Sequence, residues 1–185
     1  MSQEKYMVCP VGVAFSFDNR LRKIFQDPVN ILRPYIQPGM KILDLGCGPG
    51  FFTLAIAYLL HNSGEVIAAD LQQGMLDIIY NKITATRLAS RIRLHPCKKD
   101  TIGLAEQVDF TLAFWMVHEV PDQDRLFSEL YSLLKPGGLL FIIEPIIHVK
   151  KKDFEKMLGK AISVGFEVKN TPRVFFSRSV LMAKS

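Results

Sequence analysis

Long hydrophobic runs are missing from this chain. No stretch approaches the roughly 20 consecutive apolar residues of a membrane-spanning helix, so no span is expected. Cysteine is scarce: Cys9, Cys47 and Cys97 are odd in number and follow no metal-ligand spacing, which gives neither a disulfide framework nor a zinc knuckle and suits a reducing cytoplasm. The start, Met1-Ser2-Gln3-Glu4-Lys5, is polar and reads against a secretory leader. Low-complexity tracts and internal repeats are also lacking. What is present is 185 residues, 49% of them apolar, which reads as one domain over residues 1–185 with a sizeable core. The net charge of +5 permits an anionic partner, yet the cations are scattered. Their densest run, Lys150-Lys151-Lys152, opens an amphipathic pattern and reads as a solvated helix start, which argues against a nucleic-acid partner.

The most informative stretch runs from Ile42 to Thr53: a buried strand, the turn Gly46-Cys47-Gly48-Pro49-Gly50, and the first turn of a helix. Glycine lets a backbone bend tightly and approach a ligand closely. The spacing is GxGxG with Asp44 two residues ahead, whereas a dinucleotide-binding turn wants its third glycine at position 51, which is Phe51. The loop therefore reads as built for a nucleoside cofactor without a pyrophosphate for the helix N-terminus to grip.

From residue 41 onward strand and helix patterns alternate. Strands are expected at 41–45, 65–69, 91–94, 109–114 and 139–143. Helices are expected at 51–60, 74–88, 122–134 and 153–164, the last burying Phe154, Met157, Leu158 and Ile162. Lys135-Pro136-Gly137-Gly138 stops the third helix. The final strands, 166–169 and 174–183, are joined by too few residues for a crossover and must pair antiparallel. The expected fold is α/β: a mostly parallel sheet between two helical layers. Residues 41–145 form the cofactor-binding core, and residues 1–30 a cap over the core or a lid over the ligand, with short helices at 17–25 and 28–36.

In an open α/β sheet, ligands bind beyond the carboxyl ends of the strands. The second strand ends at Asp70, twenty residues after Gly50, where an acceptor-only carboxylate can receive both ribose hydroxyls. Taken together, Asp44-Leu45-Gly46-Cys47-Gly48-Pro49-Gly50, Val66-Ile67-Ala68-Ala69-Asp70, the strand at 109–114, and Leu134-Lys135-Pro136-Gly137-Gly138-Leu139-Leu140 resemble the class I S-adenosylmethionine-dependent methyltransferases over about residues 29–183. The resemblance implies a three-layer sandwich around a seven-strand sheet of order 3-2-1-4-5-7-6. It implies that Asp44 and the backbone of Gly46, Cys47, Gly48 and Gly50 hold the methionine end of S-adenosylmethionine. Asp70 would bind the ribose, and Leu71 and Met75 would lie near the adenine. Phe114, Trp115 and Met116 would line the sulfonium, with a cation–π contact available to Trp115. Members often carry an acidic residue after the third strand. Here the stretch is His95-Pro96-Cys97-Lys98-Lys99-Asp100, so either Asp100 or backbone near Cys97 takes that place.

The place after the fourth strand, Phe114-Trp115-Met116-Val117-His118-Glu119-Val120-Pro121, lacks the Asn/Asp-Pro-Pro-aromatic run of amino-methylating DNA enzymes. The chain looks most like the small-molecule branch that includes the quinone-ring methyltransferases. Alternatives are an enzyme acting on RNA or protein, and a cofactor-binding protein without transferase activity. His118 is the candidate general base, its ordinary pKa lying near neutrality. Cys9, His118, Glu144 and His148 show no local ligand spacing, so no metal is expected.

Overall fold

The computed structural model describes residues 25–185. Over these residues run α1 (Pro28–Leu32), β1 (Lys41–Leu45), α2 (Phe51–Leu59), β2 (Glu65–Asp70), α3 (Gln73–Ile83), β3 (Ile92–Pro96), β4 (Val108–Phe114), α4 (Gln123–Leu133), β5 (Leu134–Pro145), α5 (Lys151–Val164), β6 (Phe166–Asn170) and β7 (Ser177–Lys184). The strands form one seven-stranded sheet of order β3-β2-β1-β4-β5-β7-β6. The first five are parallel, and β7 runs antiparallel between β5 and β6. The expected sandwich and strand order are both observed.

Apolar side chains cover both faces of the sheet, as parallel strands buried on two sides require. On one face Ile42, Phe110 and Phe141 meet Leu32 of α1, Phe52 and Ile56 of α2, and Leu76 and Ile79 of α3. On the other, Leu43, Ile67, Leu140 and Val180 meet Phe127 and Leu130 of α4 and Phe154 and Met157 of α5. Each large side chain taken wholly out of water contributes roughly 1.5–3 kcal/mol, so these two layers dominate stability. At the amino ends of the strands, Lys41 and Arg93 alternate with Glu65 and Glu106 in a half-exposed ion network, with Arg93 Nε 2.8 Å from Glu65. Such exposure limits each pair to about 1 kcal/mol or less.

Several boundaries differ from expectation for identifiable reasons. The helix expected at 74–88 ends at Ile83. Thr84 Oγ1 donates to the Tyr80 carbonyl at 2.6 Å and Thr86 Oγ1 to that of Ile83 at 2.9 Å, and such back-bonding competes with helix continuation. In α5 the buried positions are Phe154, Met157 and Ala161, while Ile162 is 51% exposed. Residues 135–138 do not separate α4 from a later strand: Leu134 already pairs with Val108, and the register shifts before Phe110 meets Leu139. The last strand begins at Ser177 because residues 174–177 turn, with the Ser177 amide donating to the Val174 carbonyl at 3.1 Å. In the segment expected as a helix at 28–36, α1 covers Pro28–Leu32 and a turn follows. The helix expected at 17–25 and the lid reading of residues 1–30 fall almost wholly outside the described residues.

Thr111 of β4 is fully buried between Leu43 and Leu140 in the register, and its hydroxyl meets no hydrogen-bond partner among the described residues. Valine has nearly the same shape without the hydroxyl. We expect Thr111→Val to stabilise the protein by about 1 kcal/mol, read as a raised denaturant midpoint at unchanged slope. A destabilised variant would mean the hydroxyl is satisfied.

Candidate active site

The carboxyl ends of β1, β2, β4 and β5 and the start of β7 share one edge of the sheet, and the marked residues gather there. After β1 the chain turns through Gly46, Gly48 and Gly50, all at positive φ (68°, 51° and 89°). The turn is tied to β2: the amides of Gly46 and Cys47 both donate to the Ala69 carbonyl, at 2.8 and 3.1 Å. Two of the glycines are needed for packing. A Cβ on Gly46 would meet Met116 at 2.8 Å, and one on Gly50 would meet Ile79 at 2.8 Å. Gly48 differs, since a Cβ there would meet nothing within 4 Å. Its backbone faces open space at the centre of the turn. Lys82 of α3 braces the turn by donating to the Pro49 carbonyl at 2.9 Å.

Two carboxylates flank the turn. Asp44 is 1% exposed and accepts from Thr53 Oγ1 of α2 at 2.6 Å. Burial drives its pKa up to about 7 and the nearby charge of Asp70 adds to this, against the Thr53 hydrogen bond that favours the charged form. Asp70 accepts from the Gly48 amide at 2.9 Å and the Gln72 amide at 2.8 Å. Burial raises its pKa too, opposed by those backbone donors. Leu71, beside it, is 41% exposed, whereas Met75 is buried in the core and Cys47 under the turn. The amide of Cys97, just past β3, donates to the Asp70 carbonyl at 2.9 Å. Burial and the charge of Asp70 push the Cys97 thiol up to about 12, which makes it a poor nucleophile. Asp100 is in a different setting: it is well exposed and lies 3.8 Å from Arg125 of α4.

Beyond β4, Phe114 packs on Phe52 with ring centroids 4.3 Å apart, and Trp115 stacks on Phe114 at 5.0 Å. Trp115 has φ +56° and its Nε1 donates to Ser177 Oγ at 3.1 Å. Strain of this kind in a non-glycine residue clusters at functional sites. The 3-10 turn Val117–Glu119 follows. Glu144, fully buried at the end of β5, accepts from the Val117 amide at 2.8 Å and the His118 amide at 3.3 Å, and its other oxygen is hydrogen-bonded to His118 Nδ1. His148 lies edge-on to His118, with centroids 5.7 Å apart. Burial pulls the His118 pKa down, but the hydrogen bond and charge of Glu144, aided by Glu119, outweigh it and hold it above the ordinary value. Among the described residues no group of three or more His, Cys, Asp or Glu side chains is arranged to hold a metal ion.

A methyltransferase-domain family model matches residues 42–138, just over half of the chain, from β1 into the first residues of β5. The chain belongs to the methyltransferase-domain family. It is 31% identical over 160 residues to the demethylmenaquinone methyltransferase of Lactobacillus johnsonii, covering 79% of this chain and 66% of that one. It spans about half the length of other curated relatives. Among solved structures, a SAM-dependent methyltransferase from Aquifex aeolicus superposes with a TM-score of 0.85 at 22% identity, covering 96% of this chain and all of that one. The [4+2]-cyclase SpnF superposes at 0.73 with 16% identity, over 84% of this chain and 80% of that one. The last two likenesses concern the fold alone, and the cyclase shows that this fold carries more than one chemistry.

Sequence reasoning missed Thr53, which holds Asp44, and Lys82, which braces the glycine turn; Met116, expected near the sulfonium, lies against Gly46. Thr53 had a weak signal, a lone hydroxyl at the start of an apolar helix.

The raised Asp44 pKa has a stability consequence. The folded state holds this proton up to about pH 7, while a free carboxyl loses it near 3.8. Stability from this group is therefore complete below the unfolded pKa and is lost as pH rises toward 7. Relative to Asp44→Asn, the wild type should lose at most about 1.4 kcal/mol per pH unit between those values. Parallel pH profiles of chemical denaturation for the two proteins would contradict it.

Proposed function

We propose that this domain transfers a methyl group from S-adenosylmethionine to a small-molecule acceptor, in the cytoplasm. The observation that carries the reading is the glycine turn itself: a Cβ on Gly48 would meet open space, its amide is held by the Asp70 carboxylate, and Asp44 lies two residues before the turn. The fit to the cofactor is chemical. An acceptor-only carboxylate at the tip of β2 suits a ribose diol. A buried carboxylate with a raised pKa at the tip of β1 suits the cationic methionine end, because a bound cation would favour its charged form. When bound, S-adenosylmethionine supplies an electrophilic methyl group, so the protein's task is orientation and, where the acceptor must lose a proton, general base catalysis.

The residues divide accordingly. The backbone of the glycine turn and Asp44 would hold the methionine end. Asp70 exchanges its bonds to the Gly48 and Gln72 amides, in part, for the ribose hydroxyls. Leu71 and Met75 stand on the adenine side. The backbone at Cys97, bonded to Asp70, is better placed to meet the adenine edge than Asp100, which is turned to Arg125. Phe114 and Trp115 form an aromatic wall for the sulfonium. His118 takes the acceptor proton at Nε2, since Nδ1 is held by Glu144. Its raised pKa moves the onset of base activity to higher pH than for a free imidazole, so turnover rises with pH through that onset.

The relative from Lactobacillus johnsonii is named for a quinone-type acceptor, and the aromatic wall beside His118 suits an aromatic hydroxyl or ring carbon. No helix among the described residues is long and apolar enough to cross a membrane. The free thiols of Cys47 and Cys97 suit a reducing compartment.

Calorimetric titration with S-adenosylmethionine tests the cofactor. Asp70→Ala should weaken binding roughly 100-fold through two lost charge-assisted hydrogen bonds. Unchanged affinity would remove Asp70 from the site. For the base, His118→Ala should lower kcat at least about 100-fold, abolish the acidic limb of the pH profile and leave cofactor affinity near the wild-type value. An unchanged kcat would reject the role.

A further inference from the structure

The same edge of the sheet carries a feature that cofactor binding does not use. Ile146 and Ile147, in the turn after β5, and Phe175 and Phe176, before β7, are 40%, 77%, 48% and 53% exposed. They form one ridge rather than scattered surface residues. The Ile146 amide donates to the Phe176 carbonyl at 3.1 Å, and the two phenylalanine rings meet at 4.8 Å. Phe25, also exposed, stacks on Phe175 at 4.9 Å and lengthens the ridge. Among the described residues nothing covers these five large apolar side chains, and such a patch held in water is costly.

The surroundings of the ridge are basic. Behind it lies an open cleft of about 530 Å³ between the start of α5 and the loop before β7, lined by Lys151, Arg173 and Arg178 together with Thr171 and Ser177. Arg178 is steered into place by its Nε bond to the Val149 carbonyl at 3.1 Å. Lys150 and Lys152 flank the same helix start. Asp153 and Glu155 are the acidic residues on this end of α5, and Glu155 lies 3.7 Å from Lys151. Beside the ridge, the start of α5 and the cleft carry five cations, Lys150, Lys151, Lys152, Arg173 and Arg178, against three carboxylates: Asp153, Glu155, and Asp27, which lines a cleft with Phe25 and Arg173. Protein interfaces deplete lysine from their centres, whereas lysine and arginine rimming exposed isoleucine and phenylalanine match a bilayer surface, with apolar groups among the acyl chains and cations at the phosphates.

We propose that this ridge and its basic rim dock the protein on an anionic phospholipid surface. The contact is peripheral: side chains enter the headgroup boundary and no helix spans. It brings the edge that carries Trp115, His118 and Glu144 to the bilayer, since Trp115 is bonded to Ser177, the residue after Phe176. A lipophilic acceptor could then reach the site without crossing water.

Cosedimentation with vesicles of phosphatidylcholine alone, and of phosphatidylcholine mixed with phosphatidylglycerol, tests this on the full chain without cofactor or acceptor. Its failure therefore leaves the methyl-transfer reading intact. Binding is expected to the mixed vesicles and to fall with added salt. Ile147→Asp, at a position exposed enough to leave folding unchanged, should abolish it. Lys151→Ala and Arg173→Ala should each weaken it roughly fivefold. No binding, equal binding to both vesicles, or full binding by Ile147→Asp would overturn the proposal. So would a concentration-dependent dimer that Ile147→Asp dissociates, which would make the ridge a contact between two copies.

Discussion

The site depends on one set of backbone hydrogen bonds: those that tie the turn after β1 to the tip of β2. The Ala69 carbonyl takes both the Gly46 and Cys47 amides, and the Asp70 carboxylate takes the Gly48 amide. Parallel pairing of β1 with β2 brings these groups level, with Leu45 opposite Ala69. Once they are joined, the chain must leave β1 through positive φ, and only glycine does this at low cost at consecutive alternate positions. The close approach of Met116 and Ile79 to Gly46 and Gly50 then fixes the shape of the loop from outside. Gly48 is left with open space where a side chain would stand, its amide held by Asp70.

The second half of the site obeys a different constraint. Glu144 is a fully buried carboxylate, and an isolated buried charge is expensive unless paired and hydrogen-bonded. Two backbone amides and the His118 ring meet that need at once. Satisfying Glu144 therefore orients the imidazole. The electrostatics of the two halves are complementary: Asp44 is driven toward its neutral form by burial, while His118 is drawn toward its charged form by Glu144.

Much of this was legible in the residues. Continuous apolar runs separated by amphipathic helical patterns specify a parallel sheet, and the short final connection forces an antiparallel pair, so the strand order followed once the family resemblance was noticed. Asp44 and Asp70 were legible through their spacing from the glycines. Other features depend on contacts that sequence spacing does not encode. The bond between His118 and Glu144 joins residues far apart in the chain and exists because β4 and β5 are neighbours. The early end of α3 comes from two threonine hydroxyls competing for helix carbonyls. Ile162 fits the buried stripe of α5 by periodicity, but Ala161 faces the sheet instead and Ile162 turns outward. Asp100 stands in the stretch where the family often places an acidic residue, yet its loop carries it toward Arg125.

The proposed cofactor site requires Asp70 to change partners, from the amides it holds in the free protein to a ribose. A crystal structure with S-adenosylhomocysteine bound tests it most directly. Both ribose hydroxyls are expected within hydrogen-bond distance of the Asp70 carboxylate, with the methionine end lying along the Gly48 backbone near Asp44. A nucleoside bound elsewhere, with Asp70 still held only by Gly48 and Gln72, would contradict it.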